Sequence, residues 1–315
     1  MDQPIPGKDA QKLRHIPLSG WKEIFKRIGK NFSRHHLIIL SAGIAFFFFL
    51  SLFPAIGAGV SIYGLIMNPT DVKEQIEEIP SAVPTKAKEI LSNQLQAISD
   101  KSGGRLGWGV VLSIILSLWS ANLGTKILFK GLNIIYNEKD ERNFFRENGL
   151  TLLFTLGGIV VAIIAISLIV GFPAVDDFFD FSVIAQKVIS VGRWILLSGL
   201  LLITLALIYK YAPDRRNPKI RWVSHGALVA VILWILISWL LSVYVENFEN
   251  LDKTYGSVAS VVVLMIWFFI SSILVLLGAE LNAQTEFQTQ HDTTIPPEKP
   301  MGEREGYFAD NVPGK

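Results

Sequence analysis

Residues Ser257–Leu281 have the sequence SVASVVVLMIWFFISSILVLLGAEL, in which Glu280 is the single charged residue. As a helix rising about 1.5 Å per residue, this run is long enough to cross about 30 Å of hydrocarbon. A stretch of this length and polarity is typical of a transmembrane helix. It decides the class of protein, because a soluble domain does not need such a segment.

Five further apolar runs of similar length precede this one. They are Leu37–Met67, Trp108–Ile135, Gly149–Phe172, Val183–Tyr209 and Trp222–Val245. Hydrophobic residues make up 50% of the chain, which also contains 20 Phe and 8 Trp. The sequence therefore predicts an all-α, polytopic membrane protein with six transmembrane helices.

Overall charge and cysteine content exclude several kinds of function. The formal net charge is only +2, and no local basic face with interleaved aromatic residues is evident, so nucleic acid is not an expected partner. The chain has no Cys, which removes disulfides, thiolate metal sites and cysteine nucleophiles together. No small-residue cleavage motif or apolar leader precedes Leu37, so no signal peptide is expected.

The distribution of Lys and Arg between the loops predicts the orientation. Basic residues are concentrated before the first span, in the second loop and in Lys210–Arg221, whereas the third and fifth loops are acidic. Basic residues flanking membrane spans are retained in the cytoplasm. We therefore expect a multi-pass protein of the cell inner membrane with both termini in the cytoplasm.

Three regions follow along the chain. Residues 1–36 form a basic, amphipathic cytoplasmic segment, whose apolar stripe from Leu18 to Phe32 predicts a helix lying on an anionic leaflet. Residues 37–285 form the six-helix transmembrane domain, in which the outer loop 68–107 carries two short helical stripes. Residues 286–315 are rich in Pro, Gly and acidic residues, and we expect a disordered cytoplasmic tail.

Several motifs in these spans together resemble those of one family. They are AFFFFLSLFP (45–54), LWSANLGTK (118–126), KGLNIIYNE (130–138), IYKYAP (208–213), HGA (225–227), YVENF (244–248), TYGS (254–257) and LGAELNA (277–283). Over about residues 32–284 the chain is similar to the YihY/BrkB family of bacterial inner-membrane proteins. The resemblance implies a six-helix membrane protein. Some members have carried a ribonuclease label, and others have been linked to virulence or to envelope lipid transport.

Ribonuclease activity is not expected from the residues. Hydrolysis of RNA generally needs paired His residues, a cluster of carboxylates holding a metal, or a basic track for the backbone. Of the five His residues only His225 lies near a span, and most carboxylates lie in outer loops or the tail. We therefore expect no catalytic residue, no metal site, no cofactor and no enzyme activity.

Polar residues at membrane depth are the candidate site, because each is costly in lipid unless it faces protein or water. They are Asn122, Lys126 and Asn133 on one face of the second span, His225 in the fifth, and Glu280 and Asn282 in the sixth. The matched depths of Lys126 and Glu280 predict an ion pair, although Lys126 extending to the headgroups is an equal alternative. Pro54, within a long span flanked by glycines, indicates a kink or hinge, with close helix packing as the alternative.

These features favour a transporter or exporter of a lipid-like or amphipathic substrate. The expected groove is bordered by the first, second and sixth spans, with Lys126 attracting an anionic headgroup and Phe46–Phe49 contacting acyl chains. The alternative is a non-transporting envelope assembly or scaffold protein. A transporter should have a continuous polar path, whereas a scaffold should seal its polar residues as isolated pairs. Expected partners are membrane lipids and a lipid-like substrate, and a homo-oligomer is left open.

Overall fold

A computed structural model of the chain describes residues 5–66, 106–171, 183–247 and 257–314. Its long helices are α1 (Leu18–Arg34), α2 (Leu37–Ile66), α3 (Leu106–Tyr136), α4 (Phe144–Ile166), α5 (Val183–Tyr211), α6 (Ile220–Asn247) and α7 (Ser257–Phe287). A 3-10 turn at Leu13–His15, a π-helical turn at Ser167–Gly171 and a short helix α8 (Tyr307–Asp310) complete the regular structure of these residues.

The six helices α2 to α7 are long and apolar enough to cross a membrane, which confirms the six spans and the all-α fold. Each helix pairs its own backbone groups, which is the requirement that lipid imposes on a spanning segment. The stripes expected in the outer loop 68–107 lie outside the described residues.

Two compact units divide the chain, and Phe46–Gly124 is the smaller. Within it, the hydroxyl of Ser117 donates to the carbonyl oxygen of Ser51, and that of Ser120 donates to the carbonyl oxygen of Phe47. Pro54 lies inside α2, which continues to Ile66, and the kink there stays a prediction. Phe46 is exposed, whereas Phe47 packs close to Gly124, so the phenylalanine run divides between surface and packing roles.

The larger unit consists of Met1–Ala45 and Thr125–Lys315, and α6 and α7 make the most extensive helix contact among the described residues. A Cβ atom built on Gly226 would lie 2.1 Å from the carbonyl oxygen of Gly278. The two backbones therefore touch at a point where only glycine fits, as is common between membrane helices. The hydroxyl of Tyr209 donates to the carbonyl oxygen of Val275 over 2.7 Å and ties α5 to the same pair.

The N- and C-terminal segments meet at one end of the helices, which we call the terminal end. Helix α1 buries Ile24 against Leu281 of α7. The side chain of Gln288 donates to the carbonyl oxygen of Pro6, and the backbone N–H of Gln290 donates to that of Lys8. The two terminal segments therefore lie together at one end of α7.

Helix α1 uses only part of its apolar surface in this contact. Leu18 and Phe25 remain 89% and 61% exposed, next to Lys22 and Lys26, which are also exposed. The sequence interpretation placed the whole apolar stripe on a lipid leaflet. In the structure, α1 packs on α7, and contact of its outer edge with lipid stays a prediction.

The expectation of a disordered tail at 286–315 is wrong for the residues up to 314. Arg304 is buried and donates to the carbonyl oxygens of Gln290 and Ala309. The ring of Phe308 lies 5.0 Å from that of Phe287 between centroids. The segment is poor in apolar residues, but its polar side chains bond its own backbone, and this pairing is not visible in composition.

Candidate functional site

Glu280 is completely buried where α7 meets α1. Its Oε1 accepts from Nδ2 of Asn31 at 2.7 Å and from Nε2 of Gln284 at 3.0 Å, and its Oε2 lies 3.0 Å from Nδ1 of His35. A buried carboxylate is costly without such partners. This group of residues clamps α1 to α7 at the terminal end.

The predicted ion pair between Lys126 and Glu280 is not formed. Nζ of Lys126 instead donates to Oδ1 of Asn148 at 2.5 Å. The partners of Glu280 come from α1, from His35 directly after it and from α7 itself, because α1 packs on the side of α7 that carries this carboxylate. The sequence placed the two charges at similar depths in the membrane, but the packing of α1 against α7 determined which groups Glu280 contacts.

The other predicted polar residues occupy separate places. Asn282 joins α7 to α6, since its Nδ2 donates to the carbonyl oxygen of Val223 and its Oδ1 accepts from the N–H of Gly226. Nε2 of His225 lies 2.7 Å from Oγ1 of Thr285. Asn122 belongs to the other unit. The candidate residues therefore do not form one site.

A line of polar side chains runs between α3 and α4, and we call it the α3–α4 seam. It contains Lys126 with Asn148, then Thr151, and then Thr125 with Thr155, whose hydroxyls lie 2.9 Å apart. Thr155 lies about 16 Å along the axis from the first residue of α4, which is about half of the hydrocarbon thickness. The seam therefore takes polar groups from the terminal end to the middle of the membrane-spanning region.

An arginine-lined pocket of about 350 Å³ lies at the terminal end, on the face of α4 that carries Arg146 and Leu150. Its residues come from the start of α4, the end of α5, the two connecting segments that follow α3 and α5, and the C-terminal segment after α7. They are Arg142, Arg146, Leu150, Tyr211, Pro213, Asp214, Arg215, Arg216, Asn217 and Ile295. Four arginines thus face one aspartate.

Buried polar contacts hold the walls of this pocket. Asn133 is buried, and its Oδ1 accepts from the backbone N–H of Asp214 at 2.8 Å. Arg142 donates from Nε to Asp214 at 3.0 Å and from Nη1 to the carbonyl oxygen of Ala212 at 2.9 Å. The predicted residue Asn133 is therefore part of the support of the pocket.

Arg215 is the most enclosed of the four arginines. Its Nη1 lies 2.7 Å from Oε2 of Glu286, and the two side chains are 1% and 2% exposed. Its guanidinium carbon lies 4.2 Å from the ring centroid of Tyr136, which is a cation–π contact. Burial is the largest influence on the pKa of Arg215 and lowers it, but Glu286, Tyr136 and Glu138 together raise this pKa above its ordinary value.

Unpaired donors remain on two of these side chains. Among the residues that the structure describes, Nε and Nη2 of Arg215 and Nη1 of Arg216 are buried without a hydrogen-bond partner. Buried polar groups are rarely left unpaired, so each such group requires an explanation.

Sequence reasoning missed the arginine-lined pocket. Arg142, Arg146, Arg215 and Arg216 were counted for orientation only, as basic residues of cytoplasmic loops. The signal was the sequence Asp214-Arg215-Arg216 directly after Pro213, but nothing in one sequence places it beside Arg142 and Arg146.

No metal site is evident in the described part of the chain, where no group of three or more His, Asp or Glu residues is placed to hold an ion.

Comparison with known proteins gives a family. The family model of the virulence factor BrkB matches residues 28–302. A ribonuclease-like protein, YfkH, of Bacillus subtilis is 32% identical over 271 residues, covering 84% of this chain and 94% of the relative.

Other relatives are described only as membrane proteins. A UPF0761 membrane protein of Idiomarina loihiensis is 23% identical over 281 residues, covering 84% of this chain and 94% of the relative. One of Aeromonas salmonicida is 27% identical over 268 residues, covering 81% of this chain and 86% of the relative. No solved structure matches the chain.

Proposed function

This chain belongs to the virulence factor BrkB family, and we propose that it transports an anionic, lipid-like molecule from the cytoplasmic leaflet of the bacterial inner membrane. The observation that supports the proposal is that α4 contributes polar groups to the α3–α4 seam as far as mid-membrane and, near its start, contributes Arg146 to the arginine-lined pocket. A charged headgroup crossing lipid needs a polar route, while its acyl chains can stay in the bilayer.

The seam supplies that route over half of the membrane. The backbone of Lys126 lies about 15 Å along the axis from the C-terminal end of α3. Its side chain donates to Asn148 near the start of α4. A cation that extends along an apolar surface toward the headgroup level attracts an anionic group and guides it inward. The groove predicted from the sequence was bordered by the first, second and sixth spans, whereas this seam lies between the second and third.

The orientation belongs to the same proposal. The terminal end carries the basic segments before α2, after α3 and after α5, and basic loops remain in the cytoplasm. The pocket would then open at the level of the cytoplasmic headgroups. Single cysteines can be introduced freely, because the chain has none. We expect a Ser19→Cys variant to react with an impermeant maleimide only after the inner membrane is permeabilised, and labelling of intact cells would reverse the orientation.

The alternative function, an envelope scaffold, also has a supporting observation. The group around Glu280 is sealed by Asn31, His35 and Gln284, as a purely structural clamp would be. The two functions differ in what the α3–α4 seam does, and a transport assay separates them.

The test is transfer of a fluorescent phosphatidic acid between the leaflets of liposomes that contain the purified protein. We expect wild type to raise the transfer rate above that of empty liposomes and Lys126→Met to remove most of the gain. Lys130→Met is the matched control, since Lys130 lies one turn along α3 with an exposed side chain, and it should transfer at the wild-type rate. If wild type does not exceed empty liposomes with any anionic headgroup, the scaffold function replaces transport.

A further inference from the structure

We propose that the arginine-lined pocket binds the phosphate group of its ligand, as a phosphomonoester headgroup or as a free phosphate. The inference gives the chemical class of the headgroup in the proposed transport function. Only the assignment of the phosphate to a lipid rests on that function. The binding chemistry follows from the pocket itself, in three steps.

The first step is charge. Asp214 is the acidic residue among the residues that line the pocket, and its two carboxylate oxygens already accept from Arg142 and from the backbone N–H of Glu141. Arg215 is balanced by Glu286, whereas Arg146 and Arg216 form no ion pair with the described residues. The pocket therefore has an excess of positive charge that an anion would neutralise.

The second step is hydrogen bonding. Arg215 offers two buried N–H groups without a partner and Arg216 offers one. A phosphate presents several peripheral oxygens that accept such donors, and the planar fork of arginine fits two of them at once. Glu286 and the ring of Tyr136 hold the guanidinium of Arg215 in place before any ligand arrives, so little ordering remains to be done on binding.

The third step is size. A pocket of about 350 Å³ lies at the small end of the range for ligand sites. It accommodates a phosphate with a small headgroup but excludes two acyl chains. Leu150, Tyr211 and Ile295 supply an apolar part of the lining, and Phe144 and Phe145 at the start of α4 are exposed. Chains attached to a bound phosphate would therefore lie against the membrane-facing surface.

Binding of inorganic phosphate tests the chemistry. The full-length protein in uncharged detergent is titrated in a calorimeter at constant ionic strength, with chloride as the comparison anion. We expect binding of phosphate to wild type and about tenfold weaker binding to Arg146→Gln, which removes one charge-assisted contact. Arg146 is exposed, so this change should leave the thermal unfolding temperature unaltered.

Two further variants locate the site. Arg216→Lys keeps a cation but loses the planar fork, and we expect weaker phosphate binding. Its unfolding temperature should fall slightly, because Nη2 of Arg216 also donates to the carbonyl oxygens of Ile295 and Pro297. Arg221→Gln is the matched control, because Arg221 is an exposed arginine at the same end and does not line the pocket. If Arg221→Gln weakens binding as much as Arg146→Gln, diffuse surface charge explains the binding and the proposal fails.

The source of the phosphate is distinguished by competition with a short-chain phosphatidic acid. Displacement of inorganic phosphate at low micromolar lipid supports a lipid headgroup, and binding of phosphate without competition supports a soluble phosphate compound. Either result upholds a phosphate site. Absence of phosphate binding to wild type overturns it. Binding without transfer between leaflets would remove the transport function and leave this site in place.

Discussion

Nη1 of Arg215 lies 2.7 Å from Oε2 of Glu286, and both side chains are almost wholly excluded from solvent. The pair joins the segment that follows α5 to the last turn of α7. Thr293 donates to the other carboxylate oxygen of Glu286, so the C-terminal segment is tied to the same point. One buried ion pair thus holds together a wall of the pocket, the end of a span and the C-terminal segment.

Removal of Glu286 should be strongly destabilising. Glu286→Leu leaves the buried guanidinium of Arg215 without its counterion, and we expect a loss of about 3–5 kcal/mol in the free energy of unfolding. The double variant Arg215→Met/Glu286→Leu should lose much less than the sum of the two single changes. Denaturation in detergent measures both, with Glu298→Gln as the control in an exposed pair. Additive losses would show that the two groups act independently.

Alanine at Gly226 should force α6 and α7 apart. Its methyl group would lie 2.1 Å from the carbonyl oxygen of Gly278, and a backbone atom cannot move aside as a flexible side chain can. We expect a destabilisation of about 1–3 kcal/mol or more, measured as a lower unfolding temperature. Gly158→Ala in α4 is the matched control, since nothing lies within 4 Å of its built Cβ. Equal unfolding temperatures for the two variants would contradict the close contact.

Replacement of Glu280 should release α1 from α7. Glu280→Leu leaves Asn31, His35 and Gln284 without their acceptor, and each buried donor left unpaired costs about 1–3 kcal/mol. We expect trypsin to cleave after Lys22 and Lys26 much faster than in wild type. Glu141→Gln is the control: it changes an exposed carboxylate, and trypsin should cleave this variant at the wild-type rate. Unchanged cleavage in Glu280→Leu would mean that apolar packing alone holds α1.

The stability of the protein should depend on pH through Glu138. Burial raises the pKa of this carboxyl above its ordinary value of 4.5, although the backbone N–H of Tyr307 and the charge of Arg215 oppose the shift. Because the folded state binds this proton more tightly, stability falls as pH rises from 4.5 through the raised pKa.

Glu138→Gln tests this dependence, because the amide oxygen still accepts from Tyr307 and carries no charge. We expect the variant to unfold at a higher temperature than wild type at pH 7, with the difference vanishing below about pH 4.5. A difference that persists unchanged into acid would assign the effect to packing rather than to charge.

The candidate site was predictable only in part. Lys126 and Asn133 were identified from their depth and face on the second span, and the structure places them in the α3–α4 seam and in the support of the pocket. The pairing of Lys126 with Glu280 was wrong, because helical periodicity gives the face of one helix and not the neighbour that it meets. Arg142 and Arg215 lie 73 positions apart in the sequence and meet only in the fold.

The sequence by itself determined the six spans and the all-α class. Lipid offers no hydrogen bonds, so a long apolar run must pair its own backbone as a helix wherever its neighbours lie. Tertiary structure alone decided the ordered conformation of residues 288–314, the clamp around Glu280 and the convergence of four arginines. Each of these depends on polar contacts between segments distant in the chain, whose energies are realised only when packing brings donor and acceptor to hydrogen-bonding distance.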